Sequence, residues 1–271
     1  MKRADCIACR DRALMVEAYW FRGMSQPFPA HFHDYYVLGL VEAGRRHLVC
    51  GGVEQEIEAG DVLLFQPGMS HACTQTGGLL SYRALNVPAT VMAEHMECLG
   101  AEQMLRFSRS VAQDARLSDA LRAVHQAIFR RDSLQKRQAA FSEMLSLLMP
   151  YCTAEKERAR KERGAVCAAC AWIQAHYEEP ADLAALCSRV HLSKAALLRA
   201  FVREKGITPY RYLETVRIAA AKVLLQRGMR PAEAALRTGF ADQSHFSRQF
   251  RRHMGLPPGV YRKMFQKGVE K

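Results

Sequence analysis

The chain has 271 residues, 49% hydrophobic and 24% charged, with a formal net charge of +12 and a pI near 9.5. It is too apolar for a disordered chain and long enough for two ordinary domains. No stretch approaches the length of an apolar membrane span, and the start, MKRADCIACRDRAL, has no signal-peptide core, so a cytoplasmic protein without membrane partners is expected.

The charge is uneven. Residues 166–271 carry 18 Lys+Arg against 8 Asp+Glu, whereas residues 1–165 carry 21 against 19. A basic back half beside a nearly neutral front half predicts two parts with different partners, the basic one suited to nucleic acid. The 9 cysteines are an odd number, expected as small buried hydrophobes rather than a disulfide framework.

In chain order, residues 13–88 read as short strands with Gly/Pro punctuation. YYVLGLV is strand-like, RRHLV alternates, and EQEIEAGDVLLFQPG runs from turn to strand to turn, which suggests a small barrel or sandwich. The period then becomes helical. Leu117, Leu121, Val124 and Ile128 recur at helical spacing, as do Phe141, Met144, Leu145 and Leu148, and Pro150 ends the second helix. Such stripes pack within a chain or against a second copy. TAEKERARKERG, at 153–164, has no apolar stripe and reads as a charged linker. Everything after Gly164 reads as helix, with Thr208-Pro209 as an N-cap followed by proline at the first helical position.

The back half repeats itself. Displaced by 49 positions, Leu197 meets Phe246, Arg199 meets Arg248, Phe201 meets Phe250, Gly206 meets Gly255, Pro209 meets Pro258 and Tyr212 meets Tyr261. Upstream the displacement is 48, with Leu192-Ser193 meeting Phe240-Ala241, so the intervening turn differs by one residue. This is a duplicated helix-turn-helix, a unit that presents its second helix to the major groove of duplex DNA. At about 100° per residue, Leu197 and Phe201 define the buried side of one reading helix and Phe246 and Phe250 that of the other. Arg199 and Arg248 fall opposite. Arginine grips guanine through two hydrogen bonds and glutamine does the same to adenine, which makes Gln243 and both arginines candidate readers. The helix between the two units, about 18 residues or 27 Å long, suits reading helices placed in adjacent grooves.

SHFSRQFRRHMGLPPGVYR, preceded by AALRTGF, resembles the signature of the AraC/XylS family of bacterial transcription regulators, over roughly the last 105 residues. The resemblance implies a seven-helix double helix-turn-helix domain at 165–271. Its DNA contacts would lie at Ser193, Lys194, Ala195, Leu198, Arg199 and Arg203, and at Gln243, Ser244, His245, Arg248, Arg251 and Arg252. Ala195 and Leu198 have no hydrogen bond to offer, so Arg199 would carry direct readout in the first copy.

PAHFHDYYVLGLVEAG and GDVLLFQPGMSH resemble the two cupin motifs in the variant that serves such regulators as a sensor. The fold class implied is α+β and multidomain: a cupin-like barrel at 1–100, a helical dimerisation segment at 101–150, the linker at 151–164 and the all-α domain. The barrel would hold a small-molecule effector among Trp20, His31, His33, Arg46, His47, His71 and Tyr82, with Arg45 or Arg46 suited to a carboxylate ligand. A homodimer is implied, with RNA polymerase as a further partner if the protein activates.

His31, His33 and His71 are also candidate zinc ligands, but Val37 stands where metal-binding cupins place a carboxylate. The CxxC pairs Cys6/Cys9 and Cys167/Cys170 have zinc or redox spacing. Two alternatives remain: a metal-dependent cupin enzyme with a nucleic-acid-binding tail, and a metal or redox sensor using these cysteines. The chain has no GxSxG, Walker loop or HExxH, and an enzyme is not expected.

Overall fold

A computed structural model describes residues 5–98, 105–154, 164–180 and 182–266. Two compact units emerge. One takes in the chain up to Pro27, His33–Met69 and the stretch from Cys73 to the middle of the chain; the other holds the back half, with the short segments Phe28–Phe32 and Ser70–Ala72.

The first unit is a sheet covered by helices. Its strands are β1 (Asp5–Asp11), β2 (Val16–Met24), β4 (Tyr35–Cys50), β5 (Val53–Ile57), β6 (Val62–Phe65), nearly all of β7 (His71–Pro88) and β9 (Val111–Ala112), while the short β3 (Phe28–His31) is counted with the second unit. They follow the order β1-β2-β7-β4-β6-β9, with β3 paired to β7 and β5 to β4. A separate two-stranded sheet pairs β8 (Leu105–Phe107) with β10 (Cys152–Ala154). Three helices belong to this unit: α1 (Ala89–Cys98), α2 (Ala115–Arg130) and α3 (Leu134–Leu148).

One face of the sheet packs on these helices. Val16, Ala18, Leu38, Leu40, Val62, Leu64, Leu85 and Val87 join Leu117, Leu121, Val124, Ile128, Phe141, Met144, Leu145 and Leu148 in a single core. Both helical stripes legible in the sequence are therefore packed inside the unit. Residues 101–150 are not wholly helical: β8 lies in that range and β9 completes the main sheet. The expected linker is shortened from its front by β10, and residues 155–163 of it lie outside the described residues.

At the seam between sheet and α2, Trp20 lies between the Arg83 guanidinium, 4.1 Å from its ring, and that of Arg22 at 4.8 Å. Arg83 pairs with Glu42 at 2.5 Å and meets His125 Nδ1 at 3.0 Å. His125 Nε2 in turn lies 2.9 Å from the Tyr19 carbonyl. The neutral tautomer fits both contacts: Nε2–H donates to the carbonyl and Nδ1 accepts from the guanidinium.

The second unit has seven helices among the described residues: α4 (Gly164–Ala175), α5 (Leu183–Val190), α6 (Lys194–Lys205), α7 (Pro209–Gln226), α8 (Pro231–Arg237), α9 (Gln243–Met254) and α10 (Pro258–Gln266). The duplication governs its packing. Leu197, Phe201 and Tyr212 sit in the first half's core. In the second half an aromatic chain runs from Phe240 through Phe246, Phe250 and Tyr261 to Phe265, with ring centroids 4.9–5.5 Å apart. Even the polar handles repeat: the Tyr212 hydroxyl accepts from Gln174 at 3.1 Å, and the Tyr261 hydroxyl from Gln226 at 2.6 Å.

The turns repeat as well. His191 has φ 54°, and its counterpart Gly239 has φ 76°. Ser193 caps α6 and Asp242 caps α9, so the extra residue of the second turn is Ala241. Between the halves, Arg217 of α7 donates to the carbonyls of Tyr177 at 2.7 Å and Glu179 at 2.6 Å. A β-carbon on Gly239 would come within 2.7 Å of the Glu178 carbonyl oxygen and 2.8 Å of Arg217 Nη2.

Gly239→Ala combines a left-handed backbone with a backbone clash and should destabilise the second unit by more than about 2 kcal/mol, read as a lowered urea midpoint in a denaturation series. His125 should make the first unit sensitive to acid, because burial and the Arg83 charge pull its pKa down from 6.5 to about 4. Between those values the unfolded chain binds the extra proton and the folded chain does not. Stability is thus lost as pH falls from about 6.5 toward 4, by on the order of 3 kcal/mol. Urea titrations at intervals across that window should show His125→Gln losing less stability than the parent chain.

Candidate nucleic-acid interface and effector site

The reading helices start at well-formed caps. Ser193 Oγ accepts from the Ala196 N–H at 3.3 Å, and Asp242 Oδ1 accepts from the His245 N–H at 2.7 Å. Each helix buries its apolar pair completely, Leu197 with Phe201 on α6 and Phe246 with Phe250 on α9. The opposite faces are open. Ser193, Lys194, Ala195, Arg199 and Arg203 are exposed and Leu198 is half-buried; Gln243, Ser244, Arg248, Arg251 and Arg252 are exposed and His245 is half-buried. All twelve residues expected from the sequence therefore flank the two buried pairs as the helical period requires.

Their electrostatics suit an anionic partner. Arg203 lies 3.2 Å from Glu204. Arg199 and Arg248 form no ion pair with a described residue, which leaves their fork-shaped donors for another molecule. Gln249 Nε2 lies 3.3 Å from His245 Nε2, a contact that orients the imidazole on the open face.

The effector candidates divide between the two faces of the sheet in the first unit. Tyr82 is paired across strands with Phe21, their rings stacked at 4.5 Å, on the face turned away from the helices, here termed the inner face. Tyr19 stacks on Phe21 at 5.8 Å and donates its hydroxyl hydrogen to Glu17 at 2.7 Å, so Glu17, Tyr19 and Phe21 share that face. Trp20 points the other way, toward α2 and His125, and does not join them. Arg46 is fully buried, whereas its neighbours point outward: Arg45 pairs with Glu58 at 2.8 Å and His47 with Glu54 at 3.4 Å. The expectation that both Arg46 and His47 face a ligand is thus corrected by strand alternation.

Sequence reasoning missed Glu17, Tyr19, Phe21, Tyr35 and Cys73. Burial pushes the pKa of the Tyr35 and Tyr82 phenols well up, helped by Glu17 near Tyr35 and by Cys6 and Cys73 near Tyr82. The only available signal was the parity of β2, and that strand is buried on both faces.

His31 and His71 have ring centroids 4.5 Å apart within one unit, and His33 belongs to the other. His31 Nδ1 lies 2.6 Å from the Pro29 carbonyl, so Nδ1 carries the proton and Nε2 the lone pair. Burial and the adjacent His71 hold the His31 pKa well below its usual value. Imidazoles are donors of the kind zinc takes. Val37, buried against Phe65, supplies no carboxylate.

The two CxxC pairs are presented differently. Cys6 and Cys9 lie on β1, where an odd separation turns the side chains to opposite faces, and Cys9 packs against the sheet–helix core. Cys170 is buried in the first helical core while Cys167 is exposed.

A sheet unit with a polar and aromatic inner face, followed by a twice-repeated helix-turn-helix, is the build of a ligand-responsive DNA-binding regulator. Comparison with known proteins specifies which kind. Residues 14–149 match the AraC-like ligand binding domain and residues 186–264 match the Helix-turn-helix domain. An HTH-type transcriptional regulator of Bacillus subtilis, YbfI, is 38% identical over 239 residues, covering 87% of each chain. The HTH-type transcriptional activator RhaS of Escherichia coli K12 is 26% identical over 244 residues, covering 85% of this chain and 86% of its own. Among solved structures, an apo variant of ToxT from Vibrio cholerae superposes with a TM-score of 0.59 at 16% identity, covering 95% of this chain and 99% of that one. ToxT with an unsaturated fatty acid bound gives 0.55 at 15% identity, with full coverage of both. The chain belongs to the AraC family of transcription regulators, with a ligand-binding domain in front and a helix-turn-helix DNA-binding domain behind. No described helix is long and apolar enough to cross a membrane.

Proposed function

We propose that the protein reads its operator with both α6 and α9, each laid in the major groove, one helical turn of DNA apart. The observation that carries this reading is the pair of open faces at equivalent positions of a direct repeat, each with an arginine opposite its buried apolar pair. Helix α7, 18 residues or about 27 Å long, separates them by a distance compatible with the roughly 34 Å between successive grooves. Arg248 and Gln243 read bases on the α9 side. Arg199 does so on the α6 side, with Leu198 against a thymine methyl. Lys194, Arg203, Arg251 and Arg252 hold phosphates and set the register.

The first unit senses a cytoplasmic small molecule, and occupancy shifts the population between DNA-binding states. ToxT, seen with a fatty acid bound, is the structural precedent for an effector in a domain of this build. The protein acts as a homodimer and, like relatives named as activators, recruits RNA polymerase. It catalyses no reaction of its own.

Replacing Arg248 with alanine should weaken specific binding by about 1–3 kcal/mol and relax base choice at one position, measured by competition titration against single-base operator variants. Unchanged affinity and unchanged preference would remove α9 as a reader. Hydroxyl-radical footprinting of one chain's site should show two protected windows about 10 base pairs apart, and Arg199→Ala should fade the window that Arg248→Ala leaves intact. Protection confined to one groove's width contradicts the paired arrangement.

A further inference from the structure

Arg46 differs from four other arginines of its unit. Arg45 is paired with Glu58, Arg83 with Glu42, Arg122 with Glu42 and Asp119, and Arg137 with Asp11. Arg46 is fully buried and has no carboxylate partner among the described residues. A guanidinium held out of water without a counter-charge is costly, and chains keep one where an anion arrives to meet it.

Its hydrogen bonds show which edge is left for that anion. Nη1 donates to the Arg45 carbonyl at 2.8 Å and the Gly78 carbonyl at 3.3 Å, and Nη2 donates to the Met24 carbonyl at 2.6 Å. Nε is buried and makes no hydrogen bond. Of the five N–H donors, this leaves Nε–H and the second hydrogen of Nη2. Both belong to the side-on edge of the guanidinium, which takes a carboxylate through two parallel bonds. The three carbonyls hold Nη1 and one hydrogen of Nη2, so the fork is positioned before anything binds.

The surroundings supply a body for the ligand, and the one carboxylate felt there, Glu56, acts on Cys73 rather than on Arg46. Cys73 interacts electrostatically with both Arg46 and Tyr82. Burial pushes the Cys73 thiol up to about 11 and the Tyr82 phenol well up, so both are neutral near pH 7 and neither serves as the missing counter-ion. Beyond them lies the stacked Phe21–Tyr82 pair.

We propose that Arg46 is the anion anchor of the effector site and that the effector is a monocarboxylate with an aromatic or short apolar body. The carboxylate takes the Nε/Nη2 edge and the body lies toward Cys73, Phe21 and Tyr82. This rests on the first unit being the ligand-binding domain, and it adds the chemical class of the ligand and the residue that selects it.

Thermal-shift and calorimetric titrations of the full chain test the assignment. The probes are benzoate, phenylacetate and hexanoate, each beside its neutral amide, with rhamnose and arabinose as uncharged sugars. At least one carboxylate should raise the melting temperature by a few degrees while its amide does not. Arg46→Gln should weaken that carboxylate at least tenfold, and Arg46→Lys, which keeps the charge but loses the fork, should fall between. If Arg46→Gln fails to fold, the acid-against-amide comparison and Arg46→Lys decide. The proposal is overturned if no carboxylate protects the parent chain, or if one protects Arg46→Gln equally. A sugar that protects parent and Arg46→Gln alike would leave the ligand-binding domain standing and remove Arg46 as its anchor.

Discussion

The DNA-binding unit hangs on one guanidinium. Arg217, near the middle of α7, ties the segment after α4 to the central rod through the Tyr177 and Glu179 carbonyls, and it lies 6.0 Å from the Phe240 ring of the second turn. The same group leaves no space for a side chain at Gly239. One half-buried cation thereby fixes the end of α4, the middle of α7 and the turn that aims α9. Burial lowers its pKa from the usual arginine value. The aromatic chain from Phe240 to Phe265 then fills the second half around that fixed point.

Charge is used differently in the two units. In the first, Arg45, Arg83, Arg122 and Arg137 are paired with carboxylates, and Glu42 alone serves both Arg83 and Arg122. Part of the near-balance of acid and base in the front half of the sequence is therefore spent on internal pairing. In the second, the arginines at the centres of the reading faces have no such partner among the described residues, and the excess positive charge stays on the surface where a polyanion meets it. The uneven charge noted from the sequence is thus a difference in local pairing as well as in composition.

The helical half was legible residue by residue because its periodicity is one-sided. Leu197, Phe201, Phe246 and Phe250 are the apolar positions of otherwise polar helices, so the opposite faces could be named without coordinates. The sheet was legible as a sheet but not in its phase. β2 has Val16 and Ala18 against the helices and Tyr19 and Phe21 on the inner face, and a strand buried on both sides shows no alternation to read. Trp20 consequently lies on the face opposite to the expected one, and of the adjacent Arg46 and His47 only the arginine is turned inward. The helical stripes of α2 and α3 stand where the spacing puts them, but a stripe does not say what covers it; here the sheet does. The cysteine pair on β1 misled for a related reason, since CxxC converges on a turn and diverges on an extended strand.

The one-residue difference between the two turns, Ala241, and the unlike residues on α6 and α9 bear on operator grammar. Two-fold dimers of a single reading helix recognise palindromes, which look the same from either end. A tandem repeat with diverged halves gives its binding sequence a head and a tail. Inverting such a sequence relative to the promoter would turn the front domain from one side of the gene to the other, so polarity joins spacing as a variable that evolution of its promoters can adjust.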